Sequence, residues 1–414
     1  MSSKPIIVIG GGAAGLLAAG RAGELGARVI LLEKNDRLGR KILMSGGGRC
    51  NVTNTGSIQE LIKHYPGNGQ FLYSAFSQFS NEDLMLLLER MGIPLKVEKE
   101  GRVFPSSDRA SDVVKGLTKY LEQGGVEIRL AEKVTGIVTE GREVRGVNTE
   151  KERIASRLVI VATGGKSYPA TGSTGDGYQW ALACGHSIVP IRPALVPLNI
   201  KEGWVREVQG LALRDIEAVL MEGEKLLGRE RGEMLFTHFG VSGPVILSLS
   251  RYVKSDSSGP GLTLSLNLKP ALNQEELTGE LQLELQKNQK KQLKNALHDI
   301  LPRRLIPILI MESQISPDKL AHQLTKKERQ ALLDTLRNLK LTITGPRSLD
   351  EATVTAGGVS LKEINPKTME SKLIKGLYFA GEILDIDGFT GGYNLQAAFS
   401  TGYTAGDHAG QESF

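Results

Sequence analysis

The chain has 414 residues, beyond the ~250–300 at which a single core stops growing, so two or three domains are expected. Two cysteines rule out a disulfide framework or a four-thiolate metal site, and the six histidines show no metal-ligand spacing, so no metal is expected. A net charge of +5 with pI near 9.0 reads as solvated surface, and no apolar run is long enough to span a membrane, which predicts a protein of the reducing cytoplasm.

The first stretch, Pro5 to Glu33, organises the rest. Ile6–Ile9 is an apolar β-branched run that predicts a buried parallel strand, and Gly10, Gly12 and Gly15 follow as G-x-G-x-x-G. Leu16–Leu25 predicts a helix, and Val29–Leu32 a second strand ending in Glu33. This is the order a dinucleotide-binding βαβ unit requires. Gly10 permits the tight turn, Gly12 lets backbone approach a pyrophosphate, and Gly15 lets the helix pack close to its strand. The helix N-terminus offers unpaired N–H groups to phosphate, and Glu33 can accept from the adenosine ribose hydroxyls. An acid there disfavours a 2′-phosphate, so an NADP-type ligand is not expected in this site; FAD and NAD both remain open.

Arg37–Asn54, RLGRKILMSGGGRCNVTN, is too glycine-rich for a helix and too polar for a core strand, which predicts an extended functional loop. Arg40 and Lys41 can face phosphates, Gly46, Gly47 and Gly48 allow close backbone approach, and Ser45, Arg49 and Asn51 supply donors and acceptors. Ser80 with Asp83, and Ser111, are read as helix N-caps, the second helix running to Gln123. Val126–Leu130 predicts a strand, and Val134–Val138 with Glu143–Val147 a hairpin. Leu158–Val161 runs into Ala162-Thr163-Gly164-Gly165, small residues that let backbone pack over the dinucleotide. This strand end favours FAD over NAD.

Thr171–Gly177 is a second glycine loop, opening a helix Tyr178–Cys184 capped by Thr174 or Asp176. Prolines at 190, 193 and 197 mark a hinge. From Leu195 to about Leu268 short alternating strands predict an antiparallel β domain, including LALRDIEAVLM, EMLFTHFGVSGPVIL and LTLSLNL. Asn273–Leu339 turns helical, with helix starts at Ser316-Pro317 and at Thr325 with Glu328, and with Leu293, Leu297, Ile300, Leu332 and Leu336 as core. The tail returns to strands (Val354–Ser360, Gly376–Ala380), and a helix over Gly392–Ala405 points its positive end at a ligand that gains negative charge.

Arg49, Asn51 and His238 are the candidates for substrate contact, and Cys50 is read as packing beside the flavin rather than as a redox thiol. No second G-x-G-x-x-G follows a strand, so NAD(P)H, as reductant, would dock transiently, or oxygen or another acceptor would reoxidise the flavin. Lysines and arginines cluster at Lys287, Lys290, Lys291, Lys294, Arg303, Arg304, Lys326 and Lys327, but without interleaved aromatics they read as a solvated helix face before a nucleic-acid surface.

Four blocks, GRKILMSGGGRCNVTN, EMLFTHFGVSGP, TVTAGGV and GEILDIDGFTGGYNLQAA, together with Gly10–Gly15 and Ala162–Gly165, resemble the FAD-dependent oxidoreductases related to aminoacetone oxidase, a group that includes bile-acid-type enone reductases. The resemblance implies an α/β fold: a Rossmann-like, glutathione-reductase-type FAD-binding domain (1–193 and 353–414), a β-barrel-like domain (194–270 and 340–352) and a small helical domain (271–339). It implies non-covalent FAD with Gly10, Gly12, Ala13, Ala14 and Gly15 on the pyrophosphate, and Glu33 and Lys34 at the adenosine end. Val134 would meet the adenine through its backbone. Arg40, Lys41 and Ser45–Asn51, with Gly46, Gly47 and Cys50, would lie along the cofactor. Ala162, Thr163 and Gly164 would flank it, Gly381 and Glu382 would approach the ribityl chain, and Gly392, Tyr393, Asn394 and Leu395 the pyrimidine edge. The expected reaction is hydride transfer between a small amine or enone and flavin N5. The alternatives are an RNA-modifying flavoprotein and a non-catalytic flavin-binding interaction protein.

Overall fold

The computed structural model describes residues 4–253 and 261–414; residues 254–260, inside the expected β region, lie outside the described residues. The chain forms two compact units, one of residues 1–194 with 352–414 and the other of 195–351.

The first unit is built on a five-stranded parallel sheet in the order Leu377–Phe379, Val159–Val161, Ile6–Ile9, Val29–Leu32, Glu127–Arg129. Its central strands are apolar at every position because both faces are covered, the mark of a parallel sheet. The first helix, Ala13–Glu24, follows the opening strand, and the C-terminal helix, Tyr393–Glu412, packs against it. The approach is backbone to backbone. A Cβ on Gly402 would lie 2.2 Å from the Ala14 carbonyl oxygen, and one on Gly406 would lie 2.2 Å from that of Ala18. The hairpin appears as Val134–Glu140 and Glu143–Thr149, extended by a third strand, Arg153–Ala155. Strand Ile188–Ala194 pairs antiparallel with Val354–Val359, so the two ends of the interruption leave and return side by side.

In the second unit six antiparallel strands close a barrel: Leu198–Ile200, Gly240–Ser242, Lys225–Phe236, Ala212–Glu222, Leu262–Asn267 and Leu339–Pro346. Alternation points Ile216, Ala218 and Leu220 inward. Helices Gln274–Lys287, Ile306–Glu312 and Lys326–Arg337 share that core, with Leu293, Leu297, Ile300, Leu332 and Leu336 all buried as the pattern predicts.

Local expectations hold where the signal is a reciprocal cap. Ser80 with Asp83 and Thr325 with Glu328 both form capping boxes. Several others are corrected. The expected extended loop contains a helical turn, Arg40–Met44, entered through left-handed Gly39 and anchored by buried Ile42. Ser111 sits inside the first turn of Ala110–Gln123, whose cap position is Arg109. Gly175, at φ +83°, caps Asp176–Ala183, because Thr174 and Asp176 are both taken by Lys34 (2.5 and 2.7 Å). Pro244–Ser250 is a helix with proline in its first turn after the left-handed Gly243, not a strand. No helix starts at Ser316-Pro317; Leu320 instead bridges antiparallel to Gln292.

Candidate cofactor and active site

The three fingerprint glycines do three different things. Gly10 is left-handed (φ +106°), and a Cβ there would lie 2.6 Å from the Ala162 carbonyl oxygen. A Cβ on Gly15 would lie 1.8 Å from the Gly10 carbonyl oxygen. Gly12 has ordinary extended backbone, and a Cβ there would meet nothing within 4 Å. Two glycines are therefore demanded by the protein, and the third leaves open space at the N-terminus of a helix with no acid in its first turn, Ala13 and Ala14 included. That is an anion cradle of the kind a pyrophosphate occupies.

At the end of the second strand, Glu33 accepts from the Gly11 N–H (2.7 Å) and from the Asn35 backbone and side-chain N–H groups (2.8 and 2.6 Å). A carboxylate has about four lone-pair sites, so acceptor capacity remains for ribose hydroxyls. Glu132 N–H donates to the Glu33 carbonyl (3.0 Å), so the residue two before Val134 is tied to the Glu33 backbone. Arg40 donates to Asn35 Oδ1 (2.8 Å) and Asn35 to the Thr171 carbonyl (3.1 Å), tying the Arg37–Asn54 segment to the second glycine loop.

Toward the other end, Lys41 donates to Glu382 (2.6 Å) and Ser167 (2.7 Å), while Glu382 also accepts from Ser167 (2.9 Å) and the Thr355 N–H (2.8 Å). Burial alone would push the Glu382 carboxyl up; the Lys41 ammonium and these donors more than offset it and hold the carboxyl below its ordinary range. Gly381, at φ +79°, lies where a Cβ would be 2.8 Å from the Ala14 Cβ, so the tail reaches the Gly10–Gly15 turn.

The C-terminal helix begins at Gly392 (φ +93°), with no side-chain cap and no acid in its first turn. A Cβ on Gly392 would lie 2.5 Å from the Thr53 carbonyl, and Asn54 donates to the Gly391 carbonyl (3.2 Å). The loop holding Asn51 and the start of this helix therefore adjoin. Tyr393 stacks on His64 at 4.1 Å, Asn394 is pinned to Gly388 (2.7 and 2.9 Å), and Leu395 is half-buried.

Two buried oxygens along this path, Asn51 Oδ1 and Thr163 Oγ1, have no hydrogen-bond partner within the protein. Buried orphans cost about 1–3 kcal/mol each, so polar ligands, cofactor at one and substrate at the other, are the economical explanation. With the open Gly12 and two uncapped helix starts, the residues present fit FAD. When bound, FAD would supply the two-electron chemistry; the chain supplies position, charge and exclusion of water.

Three predicted residues stand differently. Arg49 is committed to Glu98 and Asp108 (2.8 Å to the latter) and lies over the Phe104 ring at 4.1 Å, so substrate contact would require it to leave two carboxylates. His238 belongs to the second unit, on an exposed turn between Phe236 and Gly240. Cys50 is fully buried with left-handed backbone, and burial pushes its thiol up to about 11. The thiolate is the reactive form, so iodoacetamide at pH 8 is expected to label half-buried Cys184 and spare Cys50 until the protein is denatured; mass spectrometry of tryptic peptides reads this directly. Ser167, Thr355 and Asn35 were not anticipated, although Ser167 follows the Ala162–Gly165 strand end by two residues and Thr355 lies in the TVTAGGV block.

Fold and site define an FAD-dependent oxidoreductase. The chain belongs to the family described as HI0933-like protein Rossmann domain, whose model matches residues 4–408. The ribosomal RNA dihydrouridine synthase of Escherichia coli K12 is 36% identical over 401 residues, 96% of each chain. The 3-dehydro-bile acid delta(4,6)-reductase of Clostridium scindens is 32% identical over 411 residues, 98% of each. Among solved structures, the 3-ketosteroid delta1-dehydrogenase of Sterolibacterium denitrificans aligns over all of both chains with a TM-score of 0.54 at 14% identity, a likeness of fold. Among the described residues no helix is long and apolar enough to cross a membrane, and no cluster of potential metal ligands occurs.

Proposed function

We propose that this chain reduces an activated carbon–carbon double bond, and that its substrate is a uracil ring in ribosomal RNA. The observation that carries the reading is the end-to-end similarity to two proteins named ribosomal RNA dihydrouridine synthase, the second from Haemophilus influenzae at 34% identity over 403 residues. Saturating the uracil 5,6 bond adds two hydrogens across an alkene conjugated to a carbonyl, a reaction suited to reduced FAD. This promotes the RNA-modifying alternative above the small amine or enone substrate expected from sequence. The Clostridium scindens relative supports a second reading, in which the same chemistry is applied to a small steroid-like enone.

In either case Gly10–Gly15, Glu33, Lys41, Ala162–Gly164, Glu382 and Gly392–Leu395 hold the cofactor, and Asn51 is the preferred substrate-side residue, because its oxygen is buried without a partner. Asn51→Ala is expected to keep the flavin spectrum and to lower kcat/KM by about 10–100-fold, in the range of losing one positioned polar group. The reading is tested by reducing the bound flavin anaerobically with NAD(P)H and mixing it with protein-free ribosomal RNA or with a steroid enone. Reoxidation by RNA is expected; reoxidation by the enone alone moves the assignment to the second reading.

A further inference from the structure

The second unit carries a charge asymmetry that its fold does not use. From Lys287 to Lys327 there are nine Lys/Arg against three Asp/Glu, a net +6 that exceeds the +5 of the whole chain. The structure folds this stretch back on itself. Gln292 bridges antiparallel to Leu320, the Ala321 N–H donates to the Lys291 carbonyl (3.0 Å), and the His322 N–H donates to the Gln289 carbonyl (3.2 Å). Lys290 and Lys291 thus come beside His322, and Lys326 and Lys327 follow within a few residues; all five are exposed.

The acids nearby are already spoken for: Asp299 pairs with Lys287 (2.5 Å), Asp318 with Lys294 (2.8 Å) and Glu328 with Lys319 (2.6 Å). Lys290, Lys291, Lys326 and Lys327 make no ion pair among the described residues. Lys326 and Lys327 also occupy the first turn of helix Lys326–Arg337, where positive charge opposes the helix dipole at a cost of about 0.3–1 kcal/mol each. Thr325 and Glu328 cap that helix, so the lysines serve no capping role.

We propose that the face formed by Lys290, Lys291, His322, Lys326 and Lys327 docks the sugar–phosphate backbone of a folded, double-helical segment of RNA. The inference rests on the RNA reading above and assigns it a surface. Charge complementarity favours a polyanion. The stretch 287–327 holds no Phe, Tyr or Trp on which unpaired bases could stack and only two histidines, His298 and His322, which favours helical RNA over single strands.

The test uses the full-length holoprotein and protein-free ribosomal RNA in filter binding across a KCl series. Lys290→Glu/Lys291→Glu and Lys326→Glu/Lys327→Glu are each expected to weaken binding by at least about tenfold at 100 mM salt and to reduce the slope of log affinity against log salt by about two. Lys115→Glu/Lys119→Glu, the same charge change on a first-unit helix, should stay within about twofold, and all variants should keep the parent's thermal midpoint and rate of flavin reduction by dithionite. If the parent binds RNA and both patch variants bind as it does, the proposed surface is wrong while the RNA reading stands. If the parent binds no RNA even at low salt, both fall.

Discussion

Gly12→Val is expected to fold as the parent does and to lose its FAD. The residue has ordinary extended backbone and its Cβ position is clear of protein to 4 Å, so the apoprotein should accept a side chain at no more than the ~1 kcal/mol cost of a poorer N-cap. The same space is where a pyrophosphate would meet the helix N-terminus, and a valine there should weaken FAD binding by at least about 100-fold, roughly 3 kcal/mol. Gly15→Val should behave oppositely toward the fold. Its Cβ would fall 1.8 Å from the Gly10 carbonyl oxygen, so the helix must shift off its strand. Overpacking of this kind costs about 1–3 kcal/mol or more, several degrees in melting midpoint for a unit of this size, and FAD is lost as well. The comparison must be made on apoproteins, because bound cofactor stabilises by mass action. A Gly12→Val protein that retained FAD at parental affinity would place the pyrophosphate elsewhere.

Lys41→Met carries the second large effect. It leaves the Glu382 carboxylate largely buried without its cation, which costs about 3 kcal/mol for buried pairs and somewhat less here, where the two side chains are 28% and 18% exposed. The pH dependence follows from the depressed carboxyl. A carboxyl held lower in the folded protein than in the unfolded chain stabilises at pH values above its unfolded value of about 4.3, and that contribution is lost as pH falls through the folded value. Without Lys41, its charge and hydrogen bond no longer oppose burial, and the Glu382 carboxyl rises from its depressed value. The penalty of Lys41→Met should therefore be largest at pH 7 and shrink below about pH 4, where Glu382 is protonated in the variant. Urea denaturation at the two pH values measures this, and adding Glu382→Gln should recover much of the loss at pH 7. A pH-independent penalty would mean that Lys41 acts by packing alone.

What the sequence made legible was chemistry that is local or steric. Gly10, Gly15 and the capping boxes at Ser80 and Thr325 each rest on contacts within a few residues, or on a backbone conformation only glycine adopts readily. The misreadings were choices between near-equal local donors, settled by distant partners: Thr174 and Asp176 were drawn away from their helix start by Lys34, more than 130 residues earlier in the chain. Arg49 is read from sequence as a candidate for substrate contact, since Glu98 and Asp108, 49 and 59 residues on, carry no signal that pairs them with it. Lys41 and Glu382, 341 residues apart, were each placed near the cofactor by resemblance, but nothing in the order of residues joins them into one pair. Closure of the barrel depends likewise on Leu198 meeting Pro346, a pairing invisible to alternation alone.

Nucleoside analysis of ribosomal RNA tests the proposed substrate most directly. Ribosomal RNA from cells lacking this protein is incubated with the purified FAD-loaded chain and NAD(P)H, digested to nucleosides and read by mass spectrometry. The prediction is that dihydrouridine rises with the parent protein and does not with Gly12→Val. RNA that gains no dihydrouridine from a flavin-loaded, reductant-competent protein would contradict it.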